Sequence, residues 1–362
     1  MLNPFIAQLL IILIKIVCLL VAIAYYTLAE RKIMAAIQRR RGPNVVGFWG
    51  LLQPLADGLK LIAKEMVIPS HANSRIFVIA PLSILTLGLL NWSILPFGCF
   101  DISEHAHKEE IAQTLYISNE PMRKSFDVLV ELNQIADVRY GLLVTLALSS
   151  LTVYGLVIAG WASNSKYAFL GALRSAAQMI SYEVSISLVL IPVIFMASSL
   201  NFTEIVFAQE STTWFLLPLL PLAIIFFISM IAETNRTPFD LPEAEAELVA
   251  GYNVEYSSII FAMFFLAEYS NMIMMSLVYV ELFLGGWSGP TFLPAAAILT
   301  AKALVFCFLF VLVRATFPRY RYDQLMDIGW KIFLPVATGF LIFVIGLVVA
   351  CDATPISNQI SL

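Results

Sequence analysis

Eight stretches of this chain are each long and apolar enough to bury a helix in hydrocarbon: Phe5–Ala29, Ile76–Phe97, Val138–Gly160, Gln178–Leu200, Trp214–Ala232, Tyr256–Phe283, Ala296–Thr316 and Trp330–Ala350. A bilayer core takes about 20 helical residues to cross. The expected fold is therefore an all-α integral membrane protein with eight transmembrane helices, forming a single membrane domain over residues 1–362. Hydrophobic residues make up 60% of the chain, as that fold requires. The first stretch is too long and too evenly apolar for a cleaved signal peptide, and no small-residue cleavage site follows it, so it is expected to stay as an anchor.

Basic residues set the orientation. With the N-terminus as loop zero, the odd loops carry Arg31, Lys32, Arg39, Arg40, Arg41, Lys60, Lys64, Lys166, Arg236, Arg319 and Arg321, while loops four and six and both termini carry neither Lys nor Arg. By the positive-inside rule the odd loops face inward and both termini face the outer, intermembrane-space or periplasmic, side. Trp161 and Trp330 then fall at the inner interface, and Trp92, Trp214 and Trp287 near the outer one, as an aromatic belt.

Between the fifth and sixth stretches lies an acidic inner-side loop, residues 233–255, with six carboxylates (Glu233, Asp240, Glu243, Glu245, Glu247, Glu255) and Arg236. One reading is structural: Asp240 and Glu243 have the spacing of an N-cap and its capping-box partner, and an acidic first turn suits the helix dipole. The other is chemical, because carboxylates this close repel and hold protons more readily, which makes a cluster that takes up and releases them. Two further acids lie inside apolar stretches, Glu183 one or two turns from the inner side and Glu268 near mid-membrane, with no basic residue placed in sequence to neutralise either. An intramembrane carboxylate is a proton-site candidate, the alternative being a protonated, hydrogen-bonded structural acid. Glu281 and Lys302, at similar depth near the outer side, are expected to form a structural ion pair.

Elsewhere the chain offers pairs of readings. Lys15, deep in the first stretch, packs inside the bundle or snorkels outward. Arg39, Arg40 and Arg41 suit anionic lipid, a docking partner or the mouth of a cavity. Leu52, Leu55, Leu59, Ile62 and Met66 line one face of an interfacial amphipathic helix, with Asp57, Lys60 and Lys64 opposite. Residues 99–136 form an extended hydrophilic outer-side loop, whose His105 and His107 are too few for a metal site without further ligands. The four cysteines (Cys18, Cys99, Cys307, Cys351) lack CxxC spacing, Cys99 and Cys351 being either a pair or two free thiols. No nucleotide, flavin or metal motif is present, and no nucleic-acid partner is expected.

Four segments carry a resemblance to a known family: AERKIMAAIQRRRGPNVVGFWGLLQPLADGLKLIAKE, IAGWASNSKYAFLGALRSAAQMISYEVS, AETNRTPFDLPEAEAELVAGYNVEYSS and RATFPRYRYDQLMDIGWKIFLP. They resemble subunit 1 of respiratory complex I, the NADH:ubiquinone oxidoreductase. The resemblance covers nearly the whole chain and implies the heel of the membrane arm, where the chain helps enclose the chamber through which ubiquinone, the substrate, reaches its reduction site. It implies that Glu30, Arg31, Arg40, Asp57, Arg236, Glu243, Arg314 and Arg319 line or flank that chamber. Glu183, Glu233, Asp240, Glu245, Glu247 and Glu268 would link it to the proton path. This chain would hold no redox centre and no catalytic residue of its own. NADH, FMN and iron–sulfur clusters would sit in partner subunits, with the quinone-site subunits of the peripheral arm, small membrane subunits and anionic lipids such as cardiolipin as neighbours. The long 99–136 loop departs from the family's short connection and is expected to meet an outer-face accessory subunit or lipid.

Three other functions compete. A membrane subunit of a related energy-converting hydrogenase would share the acidic loop. A secondary transporter would show inverted repeats, which are not visible here. A passive anchor would explain the basic first loop but not Glu268. The expected location is the mitochondrial inner membrane, with a bacterial plasma membrane as the alternative.

Overall fold

A computed structural model describes residues 4–97, 135–240, 251–290 and 293–350. Within them the chain is helical, with no strand: α1 Pro4–Ile37, α2 Gln53–Ala63, α3 Ser74–Trp92, α4 Gly141–Ala162, α5 Lys166–Ala197, α6 Phe202–Ser211, α7 Leu220–Glu233, α8 Ser258–Phe283, α9 Ala295–Thr316, α10 Tyr322–Asp327 and α11 Leu334–Ala350. A wide π-helical turn, Ile328–Phe333, joins α10 to α11. Most of the 99–136 loop, with His105, His107 and Cys99, lies outside the described residues, as do Cys351, Glu243, Glu245 and Glu247.

Seven helices among the described residues are long and apolar enough to cross a membrane. The fifth apolar stretch differs from its expected form. Its helix is α7, of only 14 residues, which spans about 21 Å at 1.5 Å per residue, short of a bilayer core. Prolines explain this: Pro218 supplies no N–H, and Pro221 sits in the first turn of α7, where its fixed φ starts a helix. Residues 215–219 turn instead, with Phe215 and Leu219 buried and the Leu216 N–H donating to the Phe283 carbonyl at 2.9 Å. Irregular backbone of this kind is tolerated at membrane depth when protein covers it.

At the centre is α8, packed against α1, α2, α3, α6, α7 and α9, while α5 packs against α4, α7 and α11. Small residues let these helices approach, as membrane bundles require in the absence of a hydrophobic drive between helices. A Cβ added to Gly171 on α5 would lie 2.8 Å from Gly251 Cα, so only glycine lets residues 251–253 sit on that helix. Asn201 caps α6, its Oδ1 accepting from the Thr203 N–H at 3.1 Å. The amphipathic helix α2 forms where the pattern places it, leaving Leu55, Leu59 and Ile62 exposed.

The Glu281–Lys302 ion pair does not form. Lys302 Nζ donates to the carbonyls of Leu284, Gly286 and Ser288 at 2.8, 2.9 and 2.7 Å and lies 4.9 Å from the Trp214 ring centroid. The C-terminus of α8 leaves carbonyls unsatisfied and carries the negative end of the helix dipole, so it outcompetes the carboxylate for the ammonium. Glu281 is fully buried, and both its carboxyl oxygens lack a hydrogen-bond partner among the described residues.

Candidate functional site

Helices α1, α8 and α9 meet at Glu30. Its side chain is 2% exposed and is held by Arg314 from α9 through an ion pair and by Tyr269 from α8, whose hydroxyl donates to Oε2 at 2.7 Å. On the next residue of α1, Arg31 Nη1 meets Asp57 Oδ2 at 2.6 Å and ties α1 to α2. Asp57 Oδ1 also accepts from Gln53 Nε2 at 3.0 Å. That second pair is half exposed, so it orients the corner without contributing much stability. The turn between α1 and α2 depends on Gly50, whose φ is +76° and whose Cβ would collide with the Pro43 carbonyl oxygen at 2.3 Å. Arg40 stands apart, exposed, with Nε donating to Gln38 Oε1 at 2.7 Å.

After α7 the chain folds back into the bundle instead of running out as an exposed loop. This brings Arg236, 4% exposed, over the Tyr269 ring at 4.5 Å and to within 3.7 Å of Glu268 Oε2. Glu268 therefore has a basic neighbour, contrary to the sequence expectation; the reversal at Asn235, which adopts a φ of +51°, hides it from a linear reading. The other oxygen of Glu268 accepts from the Tyr252 hydroxyl at 2.6 Å. Glu30, Arg314, Tyr269, Arg236, Glu268 and Tyr252 thus form a continuous string of charged and phenolic groups.

The re-entrant loop is pinned from two sides. Gln178 Nε2 on α5 donates to the carbonyls of Ala232 and Phe239 at 2.7 and 2.8 Å. Arg319 Nη2 meets Asp240 Oδ2 at 3.0 Å, and Tyr320 stacks on Phe239 with ring centroids 5.7 Å apart. The loop and α3, α4, α5 and α8 enclose a cleft of about 580 Å³, its open side included, lined by Asn91, Ser149, Thr152, Glu233, Asn235, Tyr252, Glu268 and Asn271 among others. Three of these polar groups, Asn91 Oδ1, Glu233 Oε2 and Asn235 Oδ1, are buried without a partner among the described residues, the setting in which a polar cavity holds ordered water. Ser149 Oγ donates to Glu183 Oε1 at 3.5 Å from the far wall and lies beside the Glu233 carboxyl as well.

The structure thus gathers most of the residues singled out in the sequence into one region. Glu30, Arg314, Arg236 and Glu268 share the string; Glu233 shares a cleft with Glu268; and Glu183 reaches that cleft through Ser149. Asp240 and Arg319 hold the loop, Arg31 and Asp57 hold the corner, and Arg40 is separate. Sequence reasoning passed over Tyr252, Tyr269, Ser149 and Gln178. Tyr269 had a signal, being next to Glu268, whereas the others lie 16, 34 and 54 residues from the groups they meet. Among the described residues no group of three or more His, Cys, Asp or Glu is placed to hold a metal ion.

Comparison with known proteins bears on this arrangement directly. A family model described as NADH dehydrogenase matches residues 10–345. The chain is 52% identical over 358 residues to a Chondrus crispus protein named NADH-ubiquinone oxidoreductase chain 1, covering 97% of this chain and all of the relative. It is 52% identical over 343 residues to the Arabidopsis thaliana protein of the same name, covering 93% and 95%. An Ehrlichia ruminantium (strain Gardel) protein, named as a subunit of NADH-quinone oxidoreductase, is 50% identical over 351 residues, covering 95% of this chain and 90% of the relative. With nearly its whole length matched in these ways, the chain belongs to the NADH dehydrogenase family.

Proposed function

We propose that this chain is the membrane subunit of a proton-translocating NADH:quinone oxidoreductase that forms part of the ubiquinone-access chamber and connects quinone reduction to a proton path. The observation that carries this reading is the unbroken string from Glu30 to Glu268, opening into the cleft that contains Glu233 and touches Ser149. The names of the near-full-length relatives support the substrate and the parent complex. On this reading the chain crosses the membrane eight times, the fifth crossing being made by α7 with the turn at 215–219, and both termini face outward. The mitochondrial inner membrane is its location, with the bacterial plasma membrane as the counterpart in bacterial relatives.

Quinone takes up two electrons and two protons on becoming quinol, and the electrons come from redox groups in partner subunits. This chain's own residues supply charge and proton positions. Glu30, Arg314, Arg31, Asp57 and Arg319 set the field at the chamber wall. Arg236 lies between the chamber side and Glu268, so a change of charge at the quinone alters how far the guanidinium is shared between Tyr269 and Glu268. Glu268, Glu233 and Glu183 then pass protons across the cleft, each within reach of polar groups that accommodate either protonation state. Glu243, Glu245 and Glu247 extend the same set on the inner side. Peripheral-arm and small membrane subunits, anionic lipid, and an accessory subunit at the 99–136 loop complete the surroundings.

Replacing Glu268 by Gln tests the reading, because the amide keeps the shape and the Tyr252 hydrogen bond but cannot carry the proton. The expected outcome is an assembled parent complex whose NADH:quinone turnover and proton movement are both impaired. An assembled Glu268→Gln complex that pumps normally removes Glu268 from the path.

A further inference from the structure

The cleft described above is not the only space inside the bundle. A second, narrower space of about 330 Å³, its open side included, lies between α4, α5, α7 and α8, and Ser149 lines both. From Ser149 it follows Thr145 and Leu142 along α4, Leu190 on α5 and Val278 and Leu282 on α8, all in the outward direction. Its walls are almost wholly apolar, so it separates the polar cleft from the outer half of the bundle as a dry gap; such gaps gate by wetting and drying. Toward its outer end is a buried acid that the path above does not use. Glu281 stands between Val278 and Leu282 in sequence and shares a helix face with Met274, also a wall residue, seven positions earlier. It is 13 residues beyond Glu268, about 20 Å along the α8 axis.

Among the described residues, the surroundings of Glu281 contain no charge that would explain its burial. Of the two basic residues on α9, Lys302 is committed to three carbonyls and Trp214, and Arg314 to Glu30. Gln209, on α6, meets only the Glu281 main-chain carbonyl, at 2.8 Å, and spends its own oxygen on the N–H groups of Phe215 and Gly285. Glu204 and Glu210, the acids of α6, are exposed. Cys307 on α9 donates to Ser276, a turn and more away along α8. A carboxylate ionised here would be an uncompensated buried charge, whereas a neutral acid is accommodated.

We propose that Glu281 is a further proton-holding site, the outer terminus of a route that leaves the polar cleft at Ser149 and crosses the apolar cavity when it wets. The inference rests on the function proposed above. One proton arrives at the Glu281 carboxyl from the Ser149 side as one leaves it toward the outer turn at Leu284–Ser288, so the group returns to its neutral form after each transfer.

The test uses the whole parent complex in sealed liposomes, measuring protons moved per NADH oxidised for wild type, Glu281→Gln, Glu281→Leu and the cavity-filling Leu190→Phe, with Glu268→Gln alongside. The proposal expects protons per NADH to fall in Glu281→Gln and Glu281→Leu. It also expects both variants to lose a shifted protonated-carboxyl band from the redox-induced infrared difference spectrum, because water entering the cavity changes the hydrogen bonding of the neutral Glu281 acid. Leu190→Phe, which plugs the gap from the opposite wall, is expected to lower the ratio as well. A wild-type ratio and unchanged infrared difference in assembled Glu281 variants overturns the proposal; if these variants do not assemble, a wild-type ratio in Leu190→Phe does so. When Glu268→Gln lowers the ratio and Glu281→Gln does not, only this outer site falls. When neither does, the proton path proposed for the chain falls with it.

Discussion

Glu30 shows how much a single side chain's setting decides. Its two oxygens are divided between Arg314 and Tyr269 in a site almost closed to solvent. Arg314→Met leaves that carboxylate buried and unpaired, a loss of about 3–5 kcal/mol for breaking a buried pair. Arg31→Met at the exposed corner costs only about 0.2–1 kcal/mol. Thermal inactivation of the purified parent complex is therefore expected to move sharply for the first and barely for the second; equal shifts would contradict the contrast. Tyr269→Phe keeps the ring under Arg236 but removes the donor to Glu30, for about 1–3 kcal/mol. The sequence displays the acids at this scale but not their partners. Arg236 faces Glu268 across a chain reversal, and Lys302 passes over Glu281 for three carbonyls, because side-chain pairing follows three-dimensional proximity and the unsatisfied ends of helices.

At the scale of elements, the close approach of Gly171 and Gly251 holds Tyr252 over Glu268. Gly171→Val is expected to push residues 251–253 off α5, separate that hydrogen-bonded pair and depress coupled turnover. Gly58→Ala, on an open face of α2 with nothing within 4 Å, is the control. It is expected to preserve turnover and firm the helix by about 0.5–1 kcal/mol. Coupled turnover that is normal in Gly171→Val would show the contact to be dispensable. Most elements were legible in the sequence, since runs of apolar residues and the three- and four-residue spacing of Leu55, Leu59 and Ile62 report helices directly. The length of α7 was not. Hydropathy counts the apolar residues around Pro218 and Pro221 as helix, but the missing N–H groups and the cover given by buried Phe215 and Leu219 make them a turn.

Over the whole molecule, the acids of the proposed path fall on different elements: Glu183 on α5, Glu233 at the end of α7, and Glu268 and Glu281 on α8. What joins them is space between helices, with Ser149 at the junction of a polar cleft and an apolar cavity. No linear reading of residues reveals a cavity, so the likeness of the motifs indicated which acids to consider while the packing indicated how they connect. Glu233 is the group on which the connection depends, because it is 3% exposed, lines the cleft opposite Glu268 and stands beside Ser149 on the way to Glu183. The most direct measurement is therefore proton movement alongside NADH:quinone activity in liposomes containing the parent complex with Glu233→Gln. The account predicts an assembled complex that has lost coupled proton movement. Full proton movement at the wild-type rate would contradict it and leave Glu233 a buried structural acid.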